Sequence, residues 1–166
     1  MSSTRNALIT GSSFSSLVLN RIVLRNLDLK GKKFEGCAFL GVVWENVTCD
    51  QSEFRNCFLD FSSFHGFSAL GVTMIFCSVS GSFMRECSWN RSDLLHVNFN
   101  GIDAENCDFS ESDLYFSRFN AGLLRQVEFR DCNLKKTQFV GSKRERVSFQ
   151  YSNDEESEME EEGTSI

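Results

Sequence analysis

The sequence predicts an all-β solenoid, a chain wound into short coils around a filled interior. Three observations predict it. A large apolar residue recurs at every fifth position from Phe14 to Phe149, and 24 of these 28 positions hold Phe, Leu, Met, Trp or Val. A second series of small or β-branched residues runs two positions earlier, from Ser12, Leu17 and Ile22 onward to Val147. Nine of the ten glycines in residues 1–150 fall two positions after a centre. A fixed short period of this kind is the mark of a repeat architecture.

Each element of the repeat has its own reason. An amphipathic helix has an apolar period near 3.6 and a half-buried strand a period of 2, and a period of five matches neither. It matches a coil that makes one corner per five residues and turns one large side chain inward each time. Two inward positions separated by one outward residue describe a short extended stretch. The remaining positions are mostly polar and hold the turn. Gly31, Gly71 and Gly101, and also Asn26, Asn46, Asn56 and Asn106, mark where that turn takes positive φ. The centres depart from the apolar rule only at Cys49, Ala69, Ala104 and Arg144, and Lys32 is the one charged residue of the second series. The chain has no proline, as expected of a backbone whose N–H groups all bond between coils.

In this pattern the chain resembles the pentapeptide repeat proteins. Their motif is small–polar–Leu/Phe–polar–polar, and Cys107-Asp108-Phe109-Ser110-Glu111 and Cys132-Asn133-Leu134-Lys135-Lys136 follow it, as does Ser112-Asp113-Leu114. The resemblance implies a right-handed quadrilateral β-helix with four repeats per coil, so that residues 20 apart stack. About seven coils at ~4.8 Å each make a rod of roughly 34 Å. The family shares a shape and not an activity.

The expected organisation is an N-terminal segment over residues 1–6, the β-helix over 7–150 and a disordered acidic tail over 151–166. The tail holds seven acidic residues, Asp154 to Glu162, and no Lys or Arg; without it the chain carries 17 basic against 16 acidic residues. No apolar run has transmembrane length and no signal peptide is apparent, so a cytoplasmic location is expected. The Ser/Thr-rich opening from Met1 to Ser16 is also compatible with a secreted effector. Six of the seven cysteines (Cys37, Cys57, Cys77, Cys87, Cys107 and Cys132) sit at the small inward position and Cys49 at a centre, with no C-x-x-C pair. They read as small buried side chains rather than as metal ligands or disulfides.

Stepping by 20 sorts the outward residues into ladders. Arg25, Glu45, His65, Arg85, Glu105, Arg125 and Glu145 form one that largely alternates in charge and specifies register. Ile75, Leu95 and Tyr115 form a second, beside Phe76, His96 and Phe116. Together these six predict an apolar-aromatic patch for a partner protein. Val18, Ala38 and Phe58, with Phe61 nearby, form a smaller candidate; Val23, Val43, Phe83 and Leu123 form a third, interrupted one. Arg144, an inward charge near the C-terminal end, reads as a guard against end-on stacking. At the other end Ala7 and Ile9 are in register, which leaves an open coil edge for a second subunit.

The chemistry that the sequence lacks narrows the function. His65 and His96 are both expected to face outward, without a nucleophile and carboxylate in adjacent register. There is no phosphate-binding loop, no metal-ligand spacing and no interior cavity in a coil packed with Phe and Leu. No enzyme activity and no cofactor are expected. The first reading is a rigid scaffold for protein–protein interaction. The alternative comes from the resemblance, which extends to quinolone-resistance proteins that mimic DNA and bind DNA gyrase. That role implies a strongly acidic rod, and this body is near neutral. Direct nucleic-acid binding ranks lower, because the basic clusters (Lys30, Lys32 and Lys33; Lys135 and Lys136) are small.

Overall fold

The computed structural model describes residues 2–160. One helix, α1 (Ser2–Thr10), precedes twelve short strands: β1 (Ser13–Ser15), β2 (Val23–Asp28), β3 (Lys33–Glu35), β4 (Val43–Thr48), β5 (Glu53–Arg55), β6 (Ser63–His65), β7 (Thr73–Ile75), β8 (Phe83–Arg85), β9 (Asp93–Leu95), β10 (Asp103–Asp108), β11 (Leu123–Glu128) and β12 (Lys143–Glu145). Every pairing is parallel with partners 20 residues apart, as in Phe14↔Phe34 and Leu24↔Trp44. Strands β1, β3, β5, β7 and β9 make the first face, and seven strands from β2 to β12 make the third. Isolated bridges carry the other two: Val18↔Ala38↔Phe58 and on to Gln138↔Glu158 on the second, Thr48↔Ser68↔Ser88 on the fourth. The result is the four-sided solenoid of about seven turns that the period implies.

The corners explain the repeat. Every fifth residue from Ser16 to Glu156 has positive φ, 29 in succession, of which only eight are glycine. Gly81 shows why some corners admit nothing larger. A Cβ there would lie 2.8 Å from the ring of Phe61, which covers it from the coil below.

The centres fill the interior in a regular aromatic lattice. Along the axis the rings stack, with Phe34–Phe54 at 4.7 Å, Phe99–Phe119 at 4.8 Å and Phe109–Phe129 at 5.1 Å between centroids. Between columns they meet edge to face, as Phe99 and Phe109 do at 5.6 Å and 81°. Both geometries suit the ring quadrupole, and each pair adds about 0.5–1.5 kcal/mol beyond burial. Cys49, Ala69 and Ala104 are fully buried, so these departures from the apolar rule are packing choices. Ala69 sits two positions after Phe67, a large residue in a small slot. Phe67 packs against Phe64, Trp44 and Trp89 at 5.1, 5.7 and 5.1 Å, so large and small have exchanged places within one repeat.

The small inward slot does more than fill space. Ser62 Oγ donates to the Phe39 carbonyl at 2.9 Å and accepts the Val42 N–H at 3.1 Å. Ser92 and Ser117 repeat the arrangement with Ala69 and Val72, and with Leu94 and Val97. Cys57, Cys77 and Cys132 direct their thiols at the carbonyls of Phe34, Phe54 and Phe109. A hydroxyl or thiol here ties a corner to the previous coil, which the reading of cysteine as a plain small hydrophobe overlooked. All seven cysteines are free and buried. Burial pushes the Cys132 thiol up to about 11 and raises that of Cys49 further.

Both ends differ from the expectation. Ala7 and Ile9 do not open a coil; they lie exposed on α1, and Leu8, out of register, is buried instead. The open coil edge expected at residue 7 is therefore partly capped. Arg5 Nη1 and Nη2 donate to the carbonyls of Arg25 and Asn26 on β2, the edge strand of the third face. Lys32 Nζ donates to the carbonyls of Ile9 and Gly11 at the C-terminal end of α1, where a cation also meets the negative end of the helix dipole. This is why a charge occupies an inward slot. At the other end the coil does not stop at residue 150. Asn133↔Asn153 and Gln138↔Glu158 continue the bridges, Met159 packs on the core, and Lys135 Nζ meets Glu155 at 3.1 Å. Ser152 and Ser157 still occupy the small slot, so the phase persists under an acidic composition. The remainder of the expected tail, residues 161–166, lies outside the described residues.

Three outcomes are expected. Phe109→Ala removes a ring from two stacks and should lower unfolding free energy by about 3–5 kcal/mol in urea titrations. Lys32→Ala should lower it by about 1.5–3 kcal/mol, through loss of charged hydrogen bonds, with part of the helical circular-dichroism signal. Titration with a disulfide reagent should find no reactive thiol in the native protein and all seven after denaturation.

Candidate interaction surface

The corner geometry sets where side chains can be displayed. Phe76, His96 and Phe116 occupy consecutive corners between the first and second faces, with φ of 54°, 55° and 61°. Bulky residues seldom adopt this conformation. Because successive corners stack, the three rings form a column. The centroids of Phe76 and His96 are 4.9 Å apart with a 36° tilt, and His96 lies nearly parallel to Phe116 at 5.1 Å. Tyr115 adds edge contacts to His96 and Phe116 at 5.9 and 5.4 Å. Ile75 and Leu95 pair across β7 and β9 beside the column and are half-buried. Phe76 is 60% exposed and Phe116 46%. The structure therefore brings all six residues of the expected patch together along one edge.

Beside the column runs a cleft of about 380 Å³ lined by Phe76, His96, Phe116, Arg118, Lys136 and Gln138. Its last three residues were not assigned to the patch from the sequence, although the register of 20 places Lys136 on Phe116 and Gln138 on Arg118. Lys136 Nζ lies 5.6 Å from the Phe116 ring centroid and 3.5 Å from Glu156. A cation over a ring face in this range contributes about 0.5–1 kcal/mol at an exposed site.

The smaller candidate lies across the second face. Val18, Ala38 and Phe58 share a bridge column, and Val18 and Phe58 are exposed. Phe61, 73% exposed, sits on the far corner of that face, and Phe83 and Val23 open the third face beyond it. The second face is thus bordered by aromatic residues on both edges. The fourth face, in contrast, presents Asp28, Thr48, Ser68, Ser88, Asp108, Glu128 and Ser148. On the third face the charge ladder forms as expected, with Arg25–Glu45 at 2.7 Å, Arg85–Glu105 at 3.4 Å and Arg125–Glu105 at 3.5 Å. Asp103 lies between Arg85 and Arg125 at 3.1 and 2.9 Å.

Arg144 is placed inward at the last step of the third-face core column. Its Nη2 donates to the Met159 carbonyl at 2.6 Å, and its guanidinium lies 5.6 Å from the Phe149 ring centroid. At the N-terminal end, α1 leaves an apolar opening of about 500 Å³ whose lining includes Leu19, Ile22, Leu24 and Leu27. No helix of the described residues is long and apolar enough to cross a membrane.

Comparison with solved structures finds the same coil. A trypsin-treated variant of QnrB1, a plasmid-mediated fluoroquinolone resistance protein, superposes with a TM-score of 0.69 at 16% identity, over 86% of this chain and 72% of that one. Rfr23, a pentapeptide repeat protein from the cyanobacterium Cyanothece 51142, superposes with a TM-score of 0.51 at 9% identity, over 89% of this chain and 97% of its own. At these identities the likeness establishes the fold alone. No curated protein matches the sequence. A family model described as a pentapeptide repeat region matches residues 82–159. The repeat it recognises there runs in the same phase back to Phe14, so the N-terminal half of the coil is built like the matched region.

Proposed function

We propose that this protein is a non-catalytic docking rod that binds a partner protein through the aromatic edge formed by Ile75, Phe76, Leu95, His96, Tyr115 and Phe116. The observation that carries this reading is the exposed stacked column of Phe76, His96 and Phe116. Large aromatic residues are the usual anchors of protein interfaces. Here they stand on a backbone whose every coil is hydrogen-bonded to the next, so little conformational entropy is lost on binding. Val18, Phe58 and Phe61 extend the apolar surface across the second face in the same reading. Arg144 keeps the C-terminal end from adding another subunit.

DNA mimicry remains the second reading, favoured by the QnrB1-like shape. It calls for a continuous acidic face. The third face instead alternates Arg with Glu and Asp, and the acids of the fourth face are interspersed with Ser and Thr.

The test is affinity capture from cell lysate at low and high salt, with wild type and a Phe76→Ser/Tyr115→Ser variant. A partner that survives salt and is lost in the variant, while circular dichroism and melting temperature hold within a few degrees, supports the docking rod. Unfolding of the variant would place these side chains in the core. Capture of topoisomerase subunits that salt releases would favour mimicry.

A further inference from the structure

We infer that the cleft beside the aromatic column takes an acidic peptide segment of the partner protein, with a carboxylate held by Arg118 and an apolar or aromatic side chain laid against Phe76 and His96. This deepens the docking reading and rests on it. The cleft's lining has two cations, Arg118 and Lys136, and no acid. Arg118 is exposed and takes part in no ion pair among the described residues, while its column neighbours on the second face, Asn98 and Gln138, are neutral. An exposed guanidinium at the rim of an aromatic wall is suited to a carboxylate, because it offers a planar fork of donors and is weakly hydrated.

The chain itself shows the chemistry one coil further on. Glu156, the next corner after Lys136, places a carboxylate 3.5 Å from Lys136 Nζ, whose other side faces the Phe116 ring. Glu158 accepts from Gln138 Nε2 at 3.1 Å. Acids thus stand one coil beyond the C-terminal end of the groove, and the cation without one is Arg118, level with Phe116. An acid at Arg118 would continue the pattern set by Lys136 and Glu156 one step down the rod. The ring edges, which carry the positive part of the aromatic quadrupole, favour the same sign of ligand. A basic or neutral segment would leave Arg118 opposed or unmatched.

The probe is a fluorescein-labelled random copolymer of Glu and Tyr, followed by fluorescence polarisation with the full chain. Comparison arms are a Lys/Tyr copolymer, polyglutamate and a single-stranded oligothymidylate. The Glu/Tyr copolymer should bind, with affinity falling when salt is raised. Lys/Tyr should not bind, and polyglutamate should bind at least about tenfold more weakly. Arg118→Glu should weaken the Glu/Tyr copolymer by roughly tenfold or more, Arg118→Gln by less, and Phe76→Ser by a comparable factor without altering the melting temperature. Failure of the Glu/Tyr copolymer to bind wild type, equal binding of Lys/Tyr, or tighter binding of oligothymidylate that Arg118→Glu abolishes would each overturn the inference. The docking reading is judged separately. If a captured partner is lost with Phe76→Ser/Tyr115→Ser but retained with Arg118→Glu, the surface stands and its acidic ligand does not.

Discussion

The constraint on which the structure depends is the left-handed corner. From Ser16 to Glu156 every fifth residue takes positive φ, and 21 of the 29 carry a side chain that disfavours it. A non-glycine residue in this region gives up roughly 1 kcal/mol or more, so the corners together oppose folding by tens of kcal/mol. They persist because each corner lets two bonding systems close at once: N–H to carbonyl between coils, and ring on ring within. The arrangement is all or nothing along the chain. Slipping by one residue would turn every centre outward and put a Phe into solvent, so an uninterrupted phase is a physical requirement.

That requirement explains what was legible in the sequence. Phe34, Phe54, Phe99 and Phe119 announce the core because each occupies the position in its repeat that turns a large side chain into the interior. Arg25 and Glu45 announce the register of 20, since only that coil size sets opposite charges beside each other. The outward rings of Phe76, His96 and Phe116 were legible by the same stepping. Features that depend on volume or hydrogen bonding across coils were not. Phe67 and Ala69 look like two faults in the motif until the shared space between Trp44 and Trp89 is seen. Ser62 and Cys57 look merely small until the carbonyls that they meet, 23 residues back, are known. Lys32 looked like an error in the inward series, and it is the fastening for α1.

The two ends show composition and phase pulling apart. Met1 to Ser16 contains residues in register, but β2, which carries the carbonyls of Arg25 and Asn26, is the edge strand of the third face. A short helix brings Arg5 beneath those carbonyls and buries Leu8. At the other end the composition from Tyr151 onward is that of a disordered acidic segment. Yet Ser152, Ser157 and Met159 keep the phase, and Lys135 and Lys136 neutralise Glu155 and Glu156. A coil already built provides a template whose hydrogen bonds and cations outweigh the charge repulsion among the incoming acids.

The same constraint bears on where a binding surface arises. The rod's faces are occupied by ladders, and their outward residues lean on neighbours above and below. The corners project beyond these ladders, and glycine and asparagine hold them with least strain. Phe76, His96 and Phe116 run against that preference at three successive steps, and Phe61 does so on the opposite edge of the same face. A conflict between local preference and chosen residue is the kind of inconsistency that natural proteins tolerate where function asks for it. Rings at scattered corners would be ordinary solvent-exposed hydrophobes. Stacked at about 5 Å, they stiffen one another and present a continuous wall, and the cations of Arg118 and Lys136 at its rim give that wall a polarity. Rigidity from the coil, apolar area from the column and charge from the rim thus converge on one edge of the rod.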